Sequence, residues 1–139
     1  MLSCSKDTIA PAYNYSTTLD ASSTTTRWKV SELVQGGFPL ISVGDAASNY
    51  IYLELRYTGQ YIADNGVNDC YGRFTIDNNT EIDFYDNISC TKVKGDMISY
   101  QQFKETLTKQ VATYKVNSDS TILTLLYNSE TYIKLLRLK

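Results

Sequence analysis

Apolar and polar residues alternate along most of the chain after about residue 27. In residues 50–57, Ile51, Leu53, Leu55 and Tyr57 fall on one face of an extended strand. Gly, Asn, Asp and Ser separate this run from its neighbours, as expected of turns. The pattern predicts a succession of antiparallel strands. The other alternating runs are residues 28–34, 60–62, 73–76, 81–85, 114–116, 121–127 and 132–138.

The period changes to that of a helix late in the chain. Ser99 and Gln102 have the spacing of a capping box at a helix N-terminus. The pattern predicts one helix over about 99–112, with its apolar stripe packed on the sheet. The residues of the stripe are Tyr100, Phe103, Leu107, Val111 and Tyr114.

These elements predict a mainly β fold, either a curved antiparallel sheet or a partly closed barrel, with the one helix inserted late. Barrel closure is favoured because it hides strand edges that would otherwise pair with other chains. The composition agrees, with 12 tyrosines against 4 phenylalanines and 1 tryptophan. Tyrosine suits a half-buried sheet surface, because its hydroxyl must reach a hydrogen-bond partner or water.

The chain divides into a polar N-terminal segment, residues 1–26, and a folded domain, residues 27–139. The first segment is rich in Ser and Thr and has no strong hydrophobic period. About 22 flexible residues would span roughly 25 Å, which suits a tether. No run approaches the roughly 18 apolar residues of a membrane-spanning helix.

The three cysteines have different predicted roles. Cys4 follows Leu2 and Ser3, as in the acceptor region of a bacterial lipoprotein signal, and is the predicted lipidation site; a chance cysteine near the terminus is the alternative. The remaining pair, Cys70 and Cys90, could form one disulfide in an exported protein. Two buried free thiols are the alternative. A CxxC redox motif is absent.

Charge and composition exclude several functions. The net charge of −2, without a basic run, gives no reason to expect a nucleic-acid partner. The sequence has no histidine, which excludes Ser-His-Asp, Cys-His and zinc-His chemistry. No metal or other cofactor is expected, and the protein is not expected to be an enzyme. The acidic residues that would remain for catalysis are Asp64, Asp69, Glu81 and Asp83.

The segment 64–69, rich in Asp and Asn, raises the separate question of calcium binding. It lacks the spacing of an EF-hand loop. Asp and Asn also favour turns, because their side chains bond to nearby backbone groups. Turn formation is therefore the simpler interpretation of this segment.

The order of several motifs resembles that of the META domain, found in small bacterial heat-shock-related lipoproteins. These motifs are Trp28, the segment NDCYGRF at 68–74, the segment NISC at 87–90, Phe103 with Leu107 on the helix, and the leucine-rich final hairpin. The sequence departs from the family pattern at Asp69, where a glycine is usual, and at Tyr71, where an asparagine is usual. The resemblance implies an antiparallel, barrel-like fold and an envelope location, without catalytic residues.

Together these features predict a non-enzymatic, lipid-anchored cell-envelope domain with a stress-related or binding role. We expect it at the outer membrane, attached only through its lipid. The alternative is a lipocalin-like binder of a small molecule at the barrel mouth, with Tyr50 and Tyr52 facing the ligand. The simpler interpretation of these tyrosines is that they cover a sheet face.

Overall fold

The computed structural model describes residues 25–78, 80–85, 89–91 and 97–138. This part of the chain contains ten strands, one α-helix and a short 3₁₀ helix at Ala46–Asn49. The strands are β1 Thr26–Gln35, β2 Phe38–Ile41, β3 Tyr52–Leu55, β4 Gln60–Asp64, β5 Asp69–Asp77, β6 Glu81–Phe84, β7 Ser89–Cys90, β8 Ala112–Val116, β9 Ile122–Asn128 and β10 Thr131–Leu138. The helix, α1, covers Ile98–Thr108.

Eight of the described strands close into an antiparallel barrel. Their order around the barrel is β1, β3, β4, β5, β6, β8, β9 and β10, and β10 pairs again with β1 from Tyr132–Val34 to Leu138–Arg27. β2 pairs with the C-terminal end of β1, and β7 pairs with the N-terminal end of β5. The prediction of a mainly β fold with one late helix is confirmed, and the pairing of β10 with β1 completes the closure.

The alternation of apolar residues fills the barrel interior. Leu53 and Leu55 on β3 are buried, whereas Tyr52 and Glu54 between them are only half-buried. The same pattern on the other strands builds one continuous core. Its large, fully buried side chains include Trp28, Tyr61, Phe84, Tyr100, Phe103 and Leu107.

The prediction for Tyr57 is wrong. The alternation places Tyr57 on the same strand face as Leu55, but the strand ends before Tyr57 and its side chain is 54% exposed. β3 ends at Leu55, and the amide of Gly59 donates a hydrogen bond to the carbonyl of Arg56 in a turn. The alternation of a strand no longer applies after this turn begins.

The helix α1 lies across one end of the barrel. The Tyr100 hydroxyl donates to the carbonyl of Ala63 at the end of β4, over 2.6 Å. Near the other end of the helix, the Tyr127 hydroxyl donates from β9 to the carbonyl of Leu107, over 3.0 Å. Since β4 and β9 are four strands apart in a ring of eight, the helix crosses the full width of the mouth. We call this the helix-covered end of the barrel.

The predicted helix boundaries differ from those observed. The helix begins at Ile98 after Met97, which makes no side-chain capping bond, so the predicted capping box at Ser99 is wrong. It ends at Thr108 rather than near residue 112, and β8 already begins at Ala112. Tyr100, Phe103 and Leu107 are buried as the stripe predicts, and Tyr114 is buried on β8. Val111 lies beyond the helix and is 46% exposed.

The first strand of the described part begins at Thr26. Thr26 is buried and accepts a hydrogen bond of 2.9 Å from the Trp28 indole. The division into residues 1–26 and 27–139 stays a prediction, because residues 1–24 lie outside the described part. Within that part, no helix has the length and apolar character needed to cross a membrane.

Gly72 provides the space for a buried tyrosine. Gly72 on β5 lies directly opposite Tyr61 on β4. A Cβ atom on Gly72 would lie only 2.5 Å from Cζ and Oη of Tyr61. The Tyr61 ring lies edge-on against Phe84, with their centroids 5.3 Å apart, and its hydroxyl donates to the carbonyl of Tyr85 over 2.6 Å. The ring is thus held in place between β5 and β6 and cannot move aside without losing these contacts.

We expect Gly72→Ala to lower the free energy of unfolding by about 1–3 kcal/mol, because overpacking forces buried groups apart. Urea denaturation measures this loss. The matched control is Arg73→Ala at the exposed next position of β5, which should change stability little. In a Tyr61→Ala background the additional cost of Gly72→Ala should disappear. An equal cost in both backgrounds would show that the ring is not the obstacle.

Tyr127 provides a pH-dependent test of the packing under α1. Burial, with a smaller repulsion from Tyr61, raises the pKa of Tyr127 above its ordinary value near 10. Above that pH the unfolded chain loses the proton while the folded chain keeps it. Tyr127 therefore contributes stability that is fully present below pH 10 and falls as the pH rises.

We expect Tyr127→Phe to make the loss of stability above pH 10 less steep, by up to about 1.4 kcal/mol per pH unit. Urea denaturation between about pH 8 and 11.5 measures the slopes. Tyr57→Phe, at an exposed position, is the control and should retain the slope of the unsubstituted protein. Identical slopes for all three proteins would contradict a buried, protonated Tyr127.

Candidate functional site

Cys70 and Cys90 form a disulfide near the helix-covered end of the barrel. They occupy directly opposite positions on β5 and β7, with Cα atoms 4.0 Å apart, and are separated by 20 residues in sequence. The predicted disulfide is therefore confirmed. The alternative of two buried free thiols is wrong. The bond attaches the two-residue strand β7 to the barrel wall.

Thr91 extends this attachment by one residue. Its amide donates to the carbonyl of Asp69 over 2.8 Å. In return, the Asp69 amide donates to the Thr91 hydroxyl oxygen over 2.8 Å. Because the side chain accepts the bond that a backbone carbonyl would accept in a regular ladder, the pairing continues beyond Cys90.

The two sulfur atoms of the disulfide have different surroundings. Cys70 is 1% exposed, whereas Cys90 is exposed. The Lys104 ammonium from α1 lies 3.5 Å from Sγ of Cys70. It also lies 4.3 Å from the centre of the Tyr100 ring, a cation–π contact with the residue one helical turn earlier. A positive charge is thus held against the buried sulfur.

Sequence reasoning did not identify Lys104. The spacing of four residues from Tyr100 indicates that both lie on one side of α1. The contact with Cys70, however, depends on how α1 crosses the barrel end. No local sequence pattern determines that placement.

In the acidic loop after β4, the side-chain oxygen atoms of Asp64 and Asn65 bond to Arg27 and to backbone amides of the loop. Asp64 Oδ2 lies 3.1 Å from the Arg27 guanidinium, and Oδ1 accepts a bond of 3.1 Å from the Gly66 amide. Asn65 Oδ1 accepts bonds from the amides of Val67 and Asn68, over 2.9 and 2.8 Å. These contacts match the interpretation that Asp and Asn serve the turn here.

The other acidic candidates do not join this loop. Glu81 and Asp83 alternate with buried Ile82 and Phe84 on β6, which places them on the outer face of the barrel. Across the described residues, no group of three or more Asp, Glu or Cys side chains is placed to hold a metal ion.

Tyr50 and Tyr52 lie outside the barrel interior. The Tyr50 hydroxyl donates to the sulfur of Met97 over 3.1 Å. Tyr52 lies under the Arg27 guanidinium, 4.7 Å from the ring centre, and its hydroxyl donates to the carbonyl of Asn49. The placement agrees with tyrosines that cover a sheet face. A ligand-facing role for them stays a prediction, as does lipidation of Cys4, which lies outside the described residues.

We expect the double variant Cys70→Ala/Cys90→Ala to lose roughly 3 kcal/mol of unfolding free energy, because the bond restricts the unfolded chain. Urea denaturation under non-reducing conditions measures the loss. Cys4→Ala is the control and should unfold like the unsubstituted protein. Equal stability of all three proteins would mean that the disulfide does not constrain the chain.

Comparison with known proteins bears on the fold. A protein from Burkholderia xenovorans, with a structure determined by NMR, is similar over 96% of this chain and 94% of its own length. The TM-score is 0.62 and the sequence identity is 17%, so the similarity concerns the fold alone. No protein-family model matches the chain, and no curated protein matches its sequence. The resemblance to the META domain therefore rests on the ordered motifs of the sequence.

Proposed function

We propose that this chain is a non-enzymatic domain of the bacterial cell envelope, anchored to the outer membrane by lipid on Cys4. The disulfide between Cys70 and Cys90 is the observation that carries this proposal. Disulfides persist in oxidising compartments outside the cytosol and are rare inside it. The hydroxyl-rich segment after Cys4 supports the proposal, since it suits a tether between a lipid and the barrel.

The state of the acidic residues supports a non-enzymatic role. The Asp64 carboxylate bonds to Arg27 and to the loop backbone, and the Asp69 carboxylate accepts a hydrogen bond of 3.3 Å from the Thr91 hydroxyl. These groups therefore serve structure where catalysis would need them aimed at a substrate. The META-like order of motifs supports a stress-related or binding role in the envelope.

The packed core favours the outer surface for any binding role. Trp28, Tyr61 and Phe103 are fully buried inside the barrel, and α1 crosses its mouth. A ligand in a lipocalin-like cup would have to displace these side chains. The structure thus gives the lipocalin-like alternative no support beyond the barrel architecture itself.

Mass spectrometry of the protein purified from the bacterium that encodes it tests the anchor. We expect the N-terminal peptide to carry a lipid mass on Cys4, and the protein to sediment with membranes. The control, Cys4→Ser expressed from the same locus, should leave the membrane fraction. An unmodified Cys4 in a cytosolic protein would contradict both the anchor and the compartment.

A further inference from the structure

The asymmetry of the disulfide has a chemical consequence. A disulfide is opened by a thiolate that attacks one sulfur along the S–S bond and expels the other as a thiolate. Cys70 is buried against α1, whereas Cys90 is exposed on the two-residue strand β7. An external thiolate therefore reaches Cys90 and not Cys70.

Lys104 favours the same direction of cleavage. Its ammonium lies 3.5 Å from Sγ of Cys70, the sulfur that would leave. A nearby positive charge stabilises a thiolate, and a more stable thiolate leaves faster. Accessibility and charge thus select one of the two possible cleavages.

We propose that Cys90 is a thiol-exchange site, at which a dithiol reductant opens the disulfide in the folded protein in one fixed direction. The reductant thiolate forms a new S–S bond to Cys90, and the electron pair of the broken bond goes to Cys70. The Cys70 thiolate then lies beside the Lys104 ammonium.

The second thiol of the reductant completes the reaction. As a thiolate it attacks the reductant sulfur of the mixed disulfide, which releases Cys90. The reductant leaves as its own disulfide, so two electrons pass from it to the Cys70–Cys90 pair. The domain is thus a substrate for reduction, with Cys90 as the residue that is transiently modified.

The direction of cleavage can be measured with reduced glutathione as the probe. The protein carries Cys4→Ser, and the reaction is stopped early with acid and then treated with N-ethylmaleimide. Cleavage at Arg56, Arg73 and Lys92 separates the two cysteines into different peptides. We expect glutathione on Cys90 and maleimide on Cys70 at least about tenfold more often than the reverse. Glutathione mainly on Cys70, an equal mixture, or exchange only after unfolding would overturn the proposal.

The role of Lys104 is measured with a matched set of helix variants. Lys104→Met should slow the exchange by about threefold or more. Lys104→Arg should restore it, and Lys109→Met, which removes an exposed charge just beyond α1, should leave it unchanged. In a Cys90→Ser background, the ultraviolet absorbance of the Cys70 thiolate should reach half its full value at a higher pH when Lys104 is Met, with the Cys70→Ser/Cys90→Ser protein as the blank. Unchanged exchange and an unchanged thiolate absorbance profile in Lys104→Met would overturn the role of the charge.

This inference uses the same disulfide as the proposed function but does not depend on the anchor. If Cys4 carries no lipid, the exchange at Cys90 is still expected. If the exchange fails, the anchor and the envelope location are unaffected. The two sets of measurements therefore separate the two proposals.

Discussion

The pairing of β10 with β1 is the interaction on which the rest of the structure depends. It joins the end of the described chain to its beginning, and the Gly36 amide on this seam bonds to the Thr131 hydroxyl 95 residues away. Without it, β1 and β10 would be long exposed edges, open to pairing with other chains. Closure also converts a twisted sheet into a container, so that every inward side chain faces the same core.

The barrel interior is packed by side chains from the strands and from α1. Side chains from all around the barrel meet inside it, and α1 covers one end with Tyr100, Phe103 and Leu107. Gly72 shows how tightly the interior is fitted, since a single methyl group there would collide with Tyr61. The barrel interior is therefore a packed hydrophobic core. Any binding or reaction would take place on the outer surface or at the barrel rim.

The sequence allowed the strands to be predicted where alternation is long, as at Leu53 and Leu55, because burial of one face imposes a period of two. It misplaced Tyr57 and the end of α1, because turn residues end an element before the apolar pattern does. It did not show β2, whose Phe38 and Pro39 resemble a break and are exposed. The disulfide followed from cysteine spacing and compartment, but Lys104 did not, since its contact with Cys70 arises only when α1 crosses the barrel.

The closing seam also determines where the chain leaves the barrel. Arg27 lies opposite Leu138, so both ends of the described chain emerge together, at the end of the barrel away from α1. An attachment through the residues before Thr26 would hold the barrel by the end away from α1. The face turned outward would then be the one that carries α1 and Cys90, and anything arriving from the surrounding medium would meet that face first.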